Sequence, residues 1–174
     1  MIKSLLIEKI PPYLCPDTWD GLAGLLQACV EDGASIGFLM PFSRQDALDY
    51  WKKVSPLFQD KSRALFIARI EKAIIGSVQI DFAMPANQPH RCEITKLMVH
   101  PTTRGQGIAK ELIKCLELEA RNSNRTLITL DTRTGDHGEY LYKSLGYHSA
   151  GVIPGYAQSS AGLFDDTTIF YKNL

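Results

Sequence analysis

One run and two carboxylates stand out as groups that could do chemistry. Arg104-Gly105-Gln106-Gly107-Ile108-Ala109-Lys110 follows the apolar stretch Leu97-Met98-Val99 and the stop at Pro101. It opens a segment in which Ile108, Ala109, Leu112, Ile113, Leu116 and Ala120 recur at helical spacing. A strand–loop–helix junction of this kind binds anions. The first helical turn offers unpaired N–H groups backed by the positive end of the macrodipole, and glycines at its mouth let a phosphate approach the backbone. The run lacks the Lys-Ser/Thr ending of a Walker A loop and the G-x-G-x-x-G spacing of a dinucleotide fold, so neither nucleotide reading is favoured.

The carboxylates are Glu93 and Asp131. Strict alternation along the strand puts Ile94, Lys96 and Met98 on one face and Glu93, Thr95, Leu97 and Val99 on the other. A carboxylate in phase with two apolar residues points along a pocket-facing side, where partial burial raises its pKa toward base strength, for direct action or action through a water. A surface Glu paired with Arg91 or a lysine is the competing reading. Asp131 ends the apolar run 126–130, at the carboxyl end of a central strand, where open α/β sheets place ligand-binding groups. It could hold an ammonium or share the base role; Asp-Thr-Arg-Thr-Gly also suits a turn or cap.

Positioning these groups takes alternating elements. A strand over residues 3–10 ends at Pro11-Pro12, and Asp17 caps a helix with apolar Trp19, Leu22, Leu25, Leu26, Cys29 and Val30 before Gly33 stops it. Residues 33–40 are punctuated by glycine and yet strongly apolar. Ser43 with Asp46 resembles a capping box that starts a second helix through about Val54, with Tyr50 and Trp51 inward. Residues 64–70 and 73–82 form a hairpin about Glu71-Lys72, a poor type I′ turn. After the long helix, residues 126–130 fit a strand buried on both faces. Asp136 and Glu139 cap a helix through Leu145, with Gly146 as its C′ residue. Residues 147–153 and 167–172 are final strands joined by a long loop, 154–166, carrying Tyr156. The order β, α, α, β, β, β, α, β, α, β, β makes residues 1–174 a single α/β domain, one sheet with helices on its faces.

Composition narrows the partners. A chain of 174 residues with 45% hydrophobic content can bury a sizeable core, and 19 Lys plus Arg against 19 Asp plus Glu leave no field to draw it to nucleic acid or to an anionic membrane. No apolar run is long enough to span a bilayer, and the first ten residues carry a charge and no small-residue cleavage site. Cys15, Cys29, Cys92 and Cys115 form no C-x-x-C pair, which fits reduced thiols in a cytoplasmic protein. His90 and Cys92 have no second pair at ligand spacing, so no metal is expected.

Arg104-Gly105-Gln106-Gly107-Ile108-Ala109, of the form R-x-x-G-x-A after a strand and a proline turn, resembles the acetyl-CoA pyrophosphate loop of the GCN5-related N-acetyltransferases. The resemblance implies a single mixed, mostly antiparallel sheet of about seven strands with four helices on its faces. It implies acetyl-CoA as cosubstrate, its pyrophosphate on the N–H groups of residues 105–110 with Arg104 and Lys110 adding charge. The backbone of Leu97, Met98 and Val99 would pair with the pantetheine arm, and an N–H near Met98 or Val99 would support the oxyanion. Tyr142-Lys143-Ser144-Leu145-Gly146-Tyr147 resembles the family's Y-x-x-L-G-F/Y ending, whose tyrosine points at the cofactor sulfur. A phenol with an unperturbed pKa near ~10 can donate to a developing thiolate. The alternative for Tyr142 is a core tyrosine, a role for which Tyr140 and Tyr147 are better placed.

The blocks Gly-Ala-Ser-Ile-Gly-Phe, Glu-Ile-Thr-Lys-Leu-Met-Val, Leu-Asp-Thr and Pro-Gly-Tyr…Phe-Tyr-Lys-Asn-Leu are similar to the tabtoxin-resistance branch, which acetylates an amine on a small amino-acid-like β-lactam. That implies direct attack by a small-molecule primary amine in a ternary complex, with residues 33–40 and the loop around Tyr156 as pocket walls. A protein or peptide N-terminus as acceptor, and a non-catalytic acyl-CoA binding module, stay open. A homodimer is common in the family, and an aromatic, apolar loop could serve as its surface.

Overall fold

The computed structural model describes residues 5–11 and 16–174. Seven strands form one sheet in the order β1-β2-β3-β4-β5-β7-β6, all neighbours antiparallel except β4 and β5. The strands are β1 (Leu5–Lys9), β2 (Arg63–Ile70), β3 (Ala73–Asp81), β4 (Arg91–Val99), β5 (Leu127–Arg133), β6 (His148–Gln158) and β7 (Phe164–Asn173); the helices are α1 (Pro16–Glu31), α2 (Arg44–Gln59), α3 (Ile108–Asn122) and α4 (His137–Ser144). This is the mixed, mostly antiparallel sheet with four helices expected from the sequence.

Helices cover both faces. On one, Leu22, Leu26, Cys29 and Val30 of α1 and Ala47, Trp51 and Phe58 of α2 pack on Leu65, Ile67 and Met98 of the sheet. On the other, Ile108, Leu112, Ile113, Leu116 and Ala120 of α3, joined by Tyr142 of α4, pack on Val78, Ile80, Cys92, Ile94, Ile128 and Phe170. The predicted capping box holds: Ser43 accepts from the Asp46 N–H at 3.1 Å while the Ser43 N–H donates to the Asp46 carboxylate at 2.7 Å. The helix it starts runs on to Gln59, past Val54 and through Pro56. Asp17 lies inside the first turn of α1, which begins at Pro16. Residues 3 and 4 of the expected first strand, Pro12 and Cys15 lie outside the described residues.

Three expectations need correction. β5 is half-buried rather than buried on both faces: Ile128 and Leu130 enter the α3 core, while Asp131 is exposed. The loop expected over 154–166 is mostly strand, because β6 runs through Pro154 to Gln158 and β7 starts at Phe164. Proline is tolerated there since β6 is an edge strand, and register shifts lie between Ser149 and Gly151 and between Ile153 and Ala157. Tyr140 is no core residue but 69% exposed; Tyr142 and Tyr147 fill the core.

Strict alternation also fails in β4. Ser77 pairs with Met98 but Gln79 with Thr95, so Val78 on β3 faces two β4 residues, Lys96 and Leu97. Lys96 takes the left-handed conformation, φ 51°. The extra residue flips the phase. Leu97 and Val99 pack on the α3 side with Cys92 and Ile94, and Met98 packs on the α1–α2 side. Glu93 is therefore out of phase with Leu97 and Val99, contrary to the sequence reading.

Candidate acetyl-transfer site

The glycine junction forms as expected. Pro101–Thr103 makes one 3₁₀ turn, capped by the His100 side chain accepting from the Thr102 N–H, and α3 starts at Ile108. Gly105 (φ 76°) and Gly107 (φ 79°) both need the left-handed conformation, and neither has a heavy atom within 4 Å of where a Cβ would stand. The first α3 N–H to bond inside the helix is that of Glu111, to the Gly107 carbonyl, and no side chain caps the turn. The N–H groups of Ile108, Ala109 and Lys110 thus open onto free space, a cradle that fits a phosphate group. Ile108 anchors this turn. It is 3% exposed and rests on Gly76 of β3, whose missing Cβ would come 3.1 Å from Ile108.

The strand edge next to that turn is open as well. β4 pairs with β5 only from Arg91 to Glu93, so the backbone from Ile94 to Val99 has no β5 partner. The Val99 carbonyl on this edge accepts from Arg104 Nε at 3.2 Å and from Cys29 Sγ at 3.5 Å. Arg104 also ion-pairs with Asp32, just past α1. Its charge is thus spent beside the loop rather than over it, whereas the exposed Lys110 makes no ion pair among the described residues.

Glu93 lies with its carboxylate 3.1 Å from Arg91, whose guanidinium also donates to Thr129 at 2.6 Å. Asp131 is exposed and its carboxylate makes no hydrogen bond or ion pair among the described residues. Its charge nevertheless acts on two neighbours, Tyr142 and Lys96. Tyr142 is 5% exposed, its ring 5.4 Å from Tyr147 and 6.1 Å from Phe170. Burial first, and then Asp131, push its phenol well above the ordinary tyrosine range, so the unperturbed value expected from sequence is corrected upward. The group stays protonated at neutral pH. The structure thus places Asp131 beyond the last β4–β5 pair, with Tyr142 of the α3-side core close enough to feel its charge, and keeps Glu93 at that last pair.

Sequence reasoning passed over two charged groups near these residues. One is Lys96, whose Nζ lies 5.6 Å from the Phe38 ring centroid; a lysine inside an apolar strand was the available signal. The other is Arg133, which donates to the Gly33 carbonyl at 3.3 Å and holds Asp136 at 2.9 Å and Asp165 at 3.5 Å. It floors a cavity of about 190 Å³ between residues 33–39 and Ala157 to Ser160. Both segments expected as walls border it, although Tyr156 itself does not line it.

The acetyltransferase (GNAT) family model matches residues 21–147, which contain the glycine loop, the open edge and Tyr142. The chain belongs to this family. It is 31% identical over 136 residues to an uncharacterised N-acetyltransferase from the hisH–hisA intergenic region of Azospirillum brasilense, covering 76% of this chain and 77% of that one. It is 27% identical over 134 residues to rat N-acetyltransferase 8B, 67% of this chain and 59% of the relative. Among solved structures, a ribosomal-protein-alanine N-acetyltransferase from Brucella melitensis superposes with TM-score 0.79 at 19% identity, over 97% and 99% of the two chains. The acetyltransferase YncA of Salmonella typhimurium, solved with its cofactor acetyl-CoA, superposes with TM-score 0.78 at 16% identity, over 98% and 94%. These neighbours share the fold. The protein is accordingly an acetyltransferase of the GNAT family, a family of acetyl-CoA-dependent enzymes.

Proposed function

We propose that this GNAT enzyme transfers the acetyl group of acetyl-CoA to a primary amine of a small, amino-acid-like molecule, by direct attack in a ternary complex. One observation carries the reading: the unpaired β4 edge ends at the uncapped first turn of α3, and Asp131 follows the last β4–β5 pair with its charge acting on Tyr142. When bound, acetyl-CoA supplies the thioester carbonyl that the amine attacks and the thiolate that leaves. The N–H groups of Gly105, Gln106, Gly107, Ile108, Ala109 and Lys110 hold the pyrophosphate, and the backbone of Leu97, Met98 and Val99 holds the pantetheine arm. Arg104 releases Asp32 to join them.

Asp131 receives the acceptor ammonium, and either it or Glu93, through a water, takes the proton. Tyr142 gives its proton to the leaving sulfur. Direct attack is favoured over an acetyl-cysteine because burial raises the pKa of the Cys29, Cys92 and Cys115 thiols, leaving little nucleophilic thiolate. The amino-acid-like class follows the blocks shared with the tabtoxin-resistance branch and the small size of the cavity beside residues 33–39. No helix among the described residues is long and apolar enough to cross a membrane, and we place the activity in the cytoplasm.

The test is release of free thiol from acetyl-CoA with a panel of amino acids, polyamines, aminoglycosides and short peptides. Turnover on amino acids is the expected result. Turnover on peptides alone moves the acceptor to a protein N-terminus, and calorimetric binding of acetyl-CoA with no turnover on any amine moves the protein to the binding-module class. Light scattering checks for the homodimer expected from the resemblance.

A further inference from the structure

Lys96 is the residue that the β4 bulge inserts, held at φ 51° in a conformation that an L side chain rarely adopts. Its ammonium reaches the loop between α1 and α2, 5.6 Å from the Phe38 ring centroid and 3.4 Å from where a Cβ on Gly37 would stand. It makes no ion pair or hydrogen bond among the described residues. Two charged groups act on it. Arg63 of β2 is already held by Asp81 and by Gln79. Asp131 of β5 is near enough to favour the charged form but forms no ion pair with it. Beside it in β4, Thr95 presents a buried hydroxyl that also has no partner.

A half-buried ammonium with no ion-pair partner loses part of its hydration, a cost that an aliphatic side chain in the same place would not carry. The missing counter-ion is what an anionic ligand would supply. Gly37 and Phe38, which border the ammonium, also line the 190 Å³ cavity, so Lys96 stands behind that wall, one residue from space open to a small molecule. We propose that Lys96 binds the carboxylate of the acceptor, so that the substrate is an amine carrying its own carboxylate: ammonium toward Asp131, carboxylate toward Lys96. Gly37 leaves the approach open, and Phe38 holds the ammonium in place. This rests on the acetyl-transfer reading above and narrows its substrate class.

The test compares each active amino acid with its own carboxamide, in wild type, Lys96→Met and Lys96→Arg. Both thiol release and calorimetric binding to the CoA-saturated protein are measured. In wild type, kcat/KM for the acid exceeds that for the amide by about 10- to 100-fold, the worth of one hydrogen bond to a charged group. Lys96→Met collapses that ratio to within about threefold, mainly through KM, and Lys96→Arg restores part of it. Acetyl-CoA affinity in each variant reports whether β4 is intact. Equal turnover of acids and amides in wild type, or equal losses on both in Lys96→Met, overturns the proposal and leaves the acetyl-transfer reading standing. Binding of acids that depends on Lys96 without any turnover keeps this site and sinks the acetyl-transfer reading instead.

Discussion

Tyr142→Phe removes one hydroxyl from the centre of the proposed chemistry and leaves everything else in place. The ring sits in the α3–α4 core against Tyr147 and Phe170, and a phenylalanine keeps those contacts. No described residue hydrogen-bonds to the hydroxyl, so its loss strands no partner, and stability should change by less than about 1 kcal/mol. For a domain of this size that is a Tm shift of no more than ~2–4 °C. Proton donation in a transition state is worth about 10²- to 10⁴-fold, or roughly 2.7–5.4 kcal/mol at ~1.36 kcal/mol per decade. The two effects differ enough to be separated in one protein. Thiol release should show kcat down by at least about a hundredfold. Calorimetry should show acetyl-CoA binding within about twofold, because the phosphate cradle is built from other elements.

The pH profile carries a second signature. Burial and Asp131 both raise the Tyr142 pKa, so loss of the protonated donor comes only above the ordinary tyrosine range. Asp131→Asn removes one of those causes and should bring the alkaline limb down in pH. Folding follows the same sign: the raised phenol contributes stability that is full below the unfolded tyrosine value, near ~10, and declines as pH rises beyond it. A kcat within threefold of wild type for Tyr142→Phe, or a loss of cofactor affinity matching the loss of rate, would refute the donor role.

Gly107→Ala should weaken acetyl-CoA binding about tenfold in calorimetry, since φ 79° costs an L-residue ~1–2 kcal/mol although the space around it is open. Asp32→Asn should leave Tm within a few degrees, because its ion pair with Arg104 is 43% exposed on both sides and such pairs are worth ~0–1 kcal/mol. The same change frees Arg104 and should tighten acetyl-CoA binding in a salt-dependent way. Cys92, its thiol pushed up to about 12 by burial, should resist alkylation in the native protein at pH 8 and react on unfolding, as followed by mass spectrometry. Its contribution to stability is full below the ordinary thiol range near ~8.5 and is lost as pH climbs toward that raised value.

The parts of this fold that are local were legible in the sequence. Ser43 and Asp46 specify a capping box within four residues, and the glycines at 105 and 107 specify a loop that only a positive φ can close. The parts that failed depend on partners far along the chain. Tyr140 and Tyr142 are neighbours in one helical pattern, and only the packing of α4 against β7 decides which enters the core. The run of Thr, Leu and Ile in β5 looks buried on both faces because its composition says nothing of where β4 leaves it. Residues 154–166 look like loop because Pro154 and the glycines are loop residues locally, yet an edge strand with register shifts accepts them. Glu93, read from sequence as either base or surface partner of Arg91, does pair with Arg91.

The single inserted residue in β4 ties these features together. With Lys96 kept in line instead of bulged, β4 would alternate strictly, and Leu97 and Val99 would turn away from the α3 core that now holds them. With the bulge, Lys96 is carried to the face under residues 33–40, while Leu97 and Val99 stay anchored beneath α3. Bulges bend and twist the strand that carries them, and β4 has already lost β5 by the point where the bulge lies. One backbone irregularity therefore accounts for the side chain offered to the acceptor and for the core side chains that fix the open edge. It also sets a direct expectation. Deleting Lys96 should give a strictly alternating β3–β4 register in which Cys92, Ile94, Leu97 and Val99 keep the α3 face and Glu93, Thr95 and Met98 keep the other, so the core positions survive while the bend and the ammonium are lost. Such a deletion should leave Tm within a few degrees but weaken acetyl-CoA binding by straightening the open β4 edge, whereas Lys96→Met, which keeps the bulge, should bind the cofactor as before. A deletion variant that keeps wild-type cofactor affinity would show that the bulge does not hold the edge.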